Sequence, residues 1–218
     1  MIEPRTDVIS ALADQISRAD ATGLRARLLT EAPELSRQPA PGDCDLDAPM
    51  PRRSSLITAA VLVPIIARPD PTILFTRRTS HLARHAGQVS FPGGRVHEDD
   101  NSLVETALRE TNEETGITPG FITVAGFLDL YETSTGFAIV PVVGLLSSNF
   151  ELLPDPNEVA DVFEVPLAFL LEPRNCQRRQ MKKQGHEREF YAFTYREHYI
   201  WGVTAGILVN FARRLSAE

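Results

Sequence analysis

The sequence predicts a single mixed α/β (α+β) domain, in which helices flank a mixed β-sheet, preceded by a helical extension. Strand-like segments outnumber helical ones, and the helical ones fall irregularly between them rather than in strict alternation. A chain of 218 residues, 43% of them hydrophobic, fills one core with an extension to spare but leaves little room for a second domain.

The elements follow in chain order. Residues 6–34 carry Val8, Ile9, Leu12, Ile16, Leu24, Leu28 and Leu29 at helical spacing, and "RQPAPGDCDLDAPMPRRSS" after them has the Pro and Asp content of a linker. Residues 1–50 are therefore read as a helical arm and Pro-rich linker, and 51–218 as the main domain. The arm has two places to pack, on its own core or on a second copy, so a homodimer stays open. "LITAAVLVPIIA" is an apolar run rich in β-branched residues, as a buried strand requires. "TILFTRR" returns across the turn "RPDP", predicting a hairpin. A helix is expected over 102–115, then strands in "FITVAGFLDLYE" and "GFAIVPVVGLL". "NEVADVFEVPLAFLL" reads as strand into short helix, "EFYAFTYREHYIWG" as alternating strands, and "TAGILVNFARRL" as a closing helix.

Bulk properties narrow the function classes. A net charge of -7 has the wrong sign for whole-surface attraction to nucleic acid or an anionic membrane, so neither is expected as a partner. Cys44 and Cys176 stand far apart without metal-ligand spacing, which suggests neither a disulfide framework nor a zinc site. The N-terminus carries acids where a signal peptide needs an apolar core, and the longest apolar runs fall short of the roughly 20 residues of a membrane helix. A cytoplasmic location is expected.

The informative stretch is "FPGGRVHEDDNSLVETALRETNEETGI", residues 91–117. On a helix, Glu110, Glu113 and Glu114 share one arc, because offsets of three and four return to the same face. Glu110 and Glu114 repel, and all three meet the negative end of the helix dipole, at about 0.3–1 kcal/mol each. Arg109 offsets part of this by reaching Glu113 and Glu105 at spacing four. A hard divalent cation, Mg²⁺ or Mn²⁺, would turn the repulsion into coordination by oxygen ligands. Upstream, Pro71 to His97 contains no acid while Arg77, Arg78, Arg84 and Arg95 accumulate with His81 and His85. Guanidinium groups there would meet phosphate oxygens, and the turn Phe91-Pro92-Gly93-Gly94 lets backbone come close to another group. Together the two segments describe a site for a metal-bound polyphosphate, with cleavage of a diphosphate linkage as the expected reaction.

At these residues the sequence resembles the Nudix hydrolases, whose signature runs from a glycine, here Gly94, to R-E-U-x-E-E-x-G-U, here Arg109 to Ile117. The resemblance implies a Nudix-type sheet sandwich, with Glu110 and Glu114 as principal metal ligands, Glu113 as a further ligand and Arg109 orienting the carboxylates. It leaves open which glutamate activates water. Asp100 and Glu158 are candidate additional acids. The sequence departs from the pattern at Thr111, usually aliphatic, by one extra residue between Gly94 and Arg109, and by Asp100 at a position usually Glu. "ILFTRRTSHLARHAGQVSFPGG" and "YIWGVTAGIL" are similar to coenzyme A pyrophosphatase-type members, although the motif's Ser and Arg are Thr79 and Ala83. The substrate this implies is a nucleoside diphosphate derivative, coenzyme A or an acyl-coenzyme A first, with ADP-ribose, NADH and dinucleoside polyphosphates as alternatives. A module that senses a nucleotide without cleaving it is the alternative of another class.

Overall fold

The structure, a computed structural model, describes residues 6–34, 56–81, 85–183 and 186–216. The first apolar run is β1 (Ile57–Ile66). It lacks polar alternation because both faces are covered: Val63 and Ile65 enter one hydrophobic cluster, Leu62 and Ile66 the other. Along its whole length β1 runs parallel to β7 (Phe137–Leu146), from Ile57↔Phe137 to Ile66↔Leu146.

The predicted hairpin forms between β1 and β2 (Thr72–Arg78), but only Ile65↔Ile73 and Ile66↔Thr72 pair. Beyond them the strands part, and β4 (Gly93–Arg95) takes the free edge of β1 through Ala59, Ala60 and Val61. β3 (Val89–Ser90) and β8 (Val159–Pro166) flank β2, while β5 (Ile122–Phe127) and β6 (Tyr131–Glu132) pair with β7. The result is an eight-stranded mixed sheet. A second, antiparallel sheet holds β9 (Gln177–Lys183), β10 (His186–Tyr195) and β11 (His198–Trp201). The sequence shows no trace of β9, because "QRRQMKK" is polar at nearly every position; its pairing with β10 makes it a strand.

Helix α3 (Leu103–Thr115) covers one face of the main sheet, where Ala107 packs with Leu62 and Val140. On the other face lie α1 (Thr6–Ser17), α2 (Thr22–Arg25) and α5 (Val203–Ser216), while the short α4 (Leu167–Leu171) follows β8. The predicted helical arm is thus two helices, broken at Ala19, whose φ is +55°. Leu12, Ile16, Leu24 and Leu28 share a cluster with Phe211 and Leu215. Arg27 Nε also donates to the Leu215 carbonyl (3.1 Å), and Arg25 Nη2 to that of Val124 (3.2 Å). The linker residues 35–50, with Cys44, lie outside the described residues. Cys176 is a free thiol that burial pushes up to about 11. No helix among the described residues is long and apolar enough to cross a membrane.

Candidate active site

Helix α3 starts on Ser102, whose side chain accepts from the Glu105 amide, and stops on Gly116 at φ +79°, with its N–H on the Asn112 carbonyl. Glu105 turns back to Asn101, accepting from its amide (2.8 Å) and from its side chain (2.9 Å). That corrects the expectation for Arg109: its partner on the N-terminal side is Asp100, not Glu105. Arg109 Nε and Nη2 bind the two Asp100 oxygens at 2.9 and 3.0 Å. Thr106 Oγ1 and the His97 amide also donate to Asp100, each at 2.9 Å. The Arg109 fork holds the Asp100 carboxyl far below the ordinary carboxylate range. The extra residue before the helix is absorbed in this turn, and Asp100 is used up in orienting Arg109.

From that anchor Arg109 Nη1 reaches Glu110 Oε1 (2.9 Å) and Glu113 Oε2 (3.0 Å), and Nη2 donates to the Arg95 carbonyl (3.3 Å). One guanidinium therefore ties two of the clustered glutamates to β4. The Glu110 carboxylate lies against Gly94, where a Cβ would overlap it, and Gly93 sits at φ +153° with no room for a Cβ beside the Ala60 carbonyl. The paired glycines allow α3 and β4 to approach this closely. Burial raises the Glu110 carboxyl above its ordinary value, with Arg109 pulling the other way.

Glu114 is the least exposed of the three, its side chain 4% accessible against 16% for Glu110 and 58% for Glu113. Its Oε1 stands 3.6 Å from Arg78 Nη1, and Arg78 Nη2 stands 3.7 Å from Glu158 Oε2. Its Oε2 is buried without a hydrogen-bond partner. Burial pushes the Glu114 carboxyl up to about 8 despite the opposing pull of Arg78. The Thr111 and Thr115 hydroxyls donate to carbonyls four residues back, each at 2.6 Å. Self-satisfied in this way, Thr111 packs as a small apolar group where an aliphatic residue is usual.

The structure splits the basic segment. Arg78 joins the carboxylates, Arg77 turns to Asp161 at 3.7 Å, and Arg95 lies over the Phe137 ring at 5.3 Å. His81 Nε2 stands 3.5 Å from Thr79 Oγ1, and His85 Nδ1 2.8 Å from Gln88 Oε1. Arg84 and Ala83 lie outside the described residues. Thr79 keeps the hydroxyl that a serine would carry, donating it to the Asn157 carbonyl at 3.1 Å.

Among the described residues no three His, Cys, Asp or Glu side chains stand close enough together to form a ready cation cage. Arg109 and Arg78 balance the carboxylates instead. The donor chemistry nevertheless fits a hard divalent cation: carboxylates on one helix turn, the most buried of them with an oxygen free of protein partners.

The NUDIX domain family matches residues 56–190 of this chain. The chain belongs to the Nudix hydrolases. It is 42% identical over 158 residues to an uncharacterized Nudix hydrolase, NudL, of Yersinia pestis, a match covering 72% of this chain and 79% of the relative. NudL of Yersinia pseudotuberculosis matches to the same extent. Among solved structures, the MutT protein of Methanosarcina mazei is 25% identical with a TM-score of 0.44, over 56% of this chain and 84% of that one. The NUDIX domain of Shewanella oneidensis NrtR, complexed with ADP ribose, is 23% identical with a TM-score of 0.42, over 55% and 78%. As a Nudix hydrolase the protein is a pyrophosphohydrolase of nucleoside diphosphate derivatives, in a family that generally uses divalent metal ions.

Proposed function

We propose that the protein hydrolyses the diphosphate of coenzyme A or an acyl-coenzyme A with Mg²⁺ or Mn²⁺, releasing 4'-phosphopantetheine or its acyl derivative and 3',5'-ADP. The observation that carries the site assignment is Glu114: a buried carboxylate whose Oε2 has no partner, facing Arg78 at 3.6 Å. A buried acceptor left open in this way suits a ligand that brings positive charge.

Glu110 and Glu114, with Glu113 once it leaves Arg109, would hold the cation, which supplies charge neutralisation at the diphosphate and a more acidic water. Arg109 keeps Glu110 in place from its Asp100 anchor. The Gly93–Gly94 backbone brings β4 up against the Glu110 carboxylate, and Arg78 and Arg95 offer guanidinium groups to the phosphate oxygens. Water adds to one phosphorus, the bridging P–O bond breaks, and the proton from water goes to a carboxylate, with Glu114, Glu110 and Glu158 as the nearby bases. Coenzyme A heads the substrate series because residues 73–94 resemble the motif of that subgroup and Thr79 preserves its hydroxyl. Residues 1–50, whose described part is built into the same core, leave homodimerisation through the arm as the weaker arrangement.

The test is turnover of coenzyme A, acyl-coenzyme A, ADP-ribose, NADH and diadenosine polyphosphates under each metal, beside Glu114→Gln. Preference for ADP-ribose would replace the substrate and keep the chemistry. Nucleotide binding without turnover of any diphosphate would favour a sensing module.

A further inference from the structure

The segment joining β7 to β8 contributes nothing to the signature, yet it is fastened at both ends to elements of the site. At one end the Leu153 amide donates to the Thr115 carbonyl (2.8 Å) and the Asp155 amide to that of Glu114 (3.2 Å). These are carbonyls that a helix leaves unpaired at its C-terminus. At the other end the Thr79 amide donates to the Glu158 carbonyl (2.9 Å), and Thr79 Oγ1 to that of Asn157 (3.1 Å).

Between the two ends the segment is braced by Asp155. Its Oδ1 accepts from the Asn157 amide and side chain, both at 2.9 Å, and its carbonyl accepts from the Glu158 (3.1 Å) and Val159 (2.8 Å) amides. The fastened parts carry the charged trio: Glu114 on α3, Arg78 beside Thr79, and Glu158 in the segment itself. Arg78 stands between the two acids, 3.6 Å from one and 3.7 Å from the other. Glu158 is half exposed, so side-chain packing does not hold it; its backbone does.

We propose that residues 153–158 form a positioning strap that delivers Glu158 to Arg78 and Glu114, with Thr79 and Asp155 as the positioning residues that fasten it. The inference rests on the hydrolase reading of the site and adds to it two residues that touch none of the carboxylates' side chains. Thr79, 6% exposed, acts through the Asn157 carbonyl. Asp155 acts through the turn that presents Glu158.

The test compares Thr79→Val, which keeps the shape and removes the hydroxyl, with Thr79→Ser, which keeps the hydroxyl, each in the parent and in a Glu158→Gln background. Thr79→Val should lower kcat about tenfold, the scale for residues that orient a site's ligands, with KM within about twofold. Thr79→Ser should restore kcat. In the Glu158→Gln background Thr79→Val should do little more, because the group it positions is gone. An equal loss in both backgrounds, or a serine no better than valine, overturns the proposal. Amide hydrogen exchange gives a readout independent of turnover: Thr79→Val should speed exchange in residues 153–159 and 110–116 and leave α5 unchanged. Unchanged exchange in those two segments also overturns it. A parent inactive on every diphosphate sinks the hydrolase reading, while the exchange measurement still decides whether the strap is fastened as proposed.

Discussion

The sharpest physical consequence of the site is a stability that depends on Glu114, pH and metal together. In the metal-free protein burial pushes the Glu114 carboxyl up to about 8, against 4.5 for an ordinary glutamate. Between these values the folded state keeps a proton that the unfolded state releases, so stability falls as pH rises through this window. Below about pH 4.5 the group contributes nothing; above about pH 8 the whole cost is present. A displacement of this size corresponds to at most about 5 kcal/mol. Glu114→Gln keeps the shape without the charge. The metal-free variant should therefore lie within about 1 kcal/mol of the parent at pH 5 and exceed it at pH 8.5 by a few kcal/mol, or about 5–15 °C in Tm for a domain of this length. Calorimetric melts in EDTA at pH 5, 7 and 8.5 measure this. Mn²⁺ should narrow the gap by raising the Tm of the parent far more than that of the variant, and titration at pH 7 in buffers of different ionisation enthalpy should show close to one proton released. Parallel pH profiles for parent and variant would refute the placement of a buried, partner-poor carboxylate at 114.

The other predictions probe the parts around that carboxylate. Asp100→Asn breaks a nearly buried pair with Arg109 and should cost about 3 kcal/mol. Because the folded-state value of Asp100 is depressed, the contribution of the pair is present above pH 3.8 and is lost as pH falls, so parent and variant should converge in acid melts. Gly94→Ala puts a Cβ into the Glu110 carboxylate and should lower kcat about 10- to 100-fold while the far-ultraviolet spectrum stays unchanged. Ile16→Ala should destabilise by about 2–5 kcal/mol in denaturant titrations, since Ile16 is fully buried; a loss below about 0.5 kcal/mol would detach the N-terminal helices from the core. Arg78→Ala should impair turnover about tenfold or more, whereas Arg77→Ala, which loses an exposed pair with Asp161, should leave it within about twofold.

The site was legible in the sequence where its geometry is local. The offsets among Glu110, Glu113 and Glu114 fix a shared arc on any helix, and Gly116 marks its end, so the acidic turn could be read without coordinates. What depends on which way a side chain leans could not: Arg77 and Arg78 are adjacent and alike, and only the pairing of β2 with β8 sends one to Asp161 and the other to Glu114. Arg109 had two acids at spacing four, yet its fork closes on Asp100 nine residues back, because Glu105 is already engaged with Asn101. The strap over 153–158 works mostly through backbone amides and carbonyls, which any sequence carries, so no residue pattern announces it. β9 is hidden for a related reason, its strand character coming from its partner.

The same contacts explain how the chain folds around a cluster of like charges at all. Read from sequence, the acidic turn waits for a metal to relieve its repulsion. In the structure Arg109 already spans Glu110 and Glu113, and Arg78 stands between Glu114 and Glu158. Neither arginine reaches Glu114 Oε2. Arg109 therefore hydrogen-bonds the two more accessible glutamates, whereas the deepest carboxylate has only Arg78 at 3.6 Å to offset its burial and keeps its proton until something better arrives. A divalent ion would displace that proton and draw Glu113 from Arg109, so metal binding should tighten as pH rises towards 8, and Arg109→Ala, which unfastens Glu110, should weaken both the fold and the metal. Melts and Mn²⁺ titrations of that variant, run side by side, separate the two effects. A loss of stability with metal affinity unchanged would show that Arg109 only stands in for the ion and does not hold Glu110 in place.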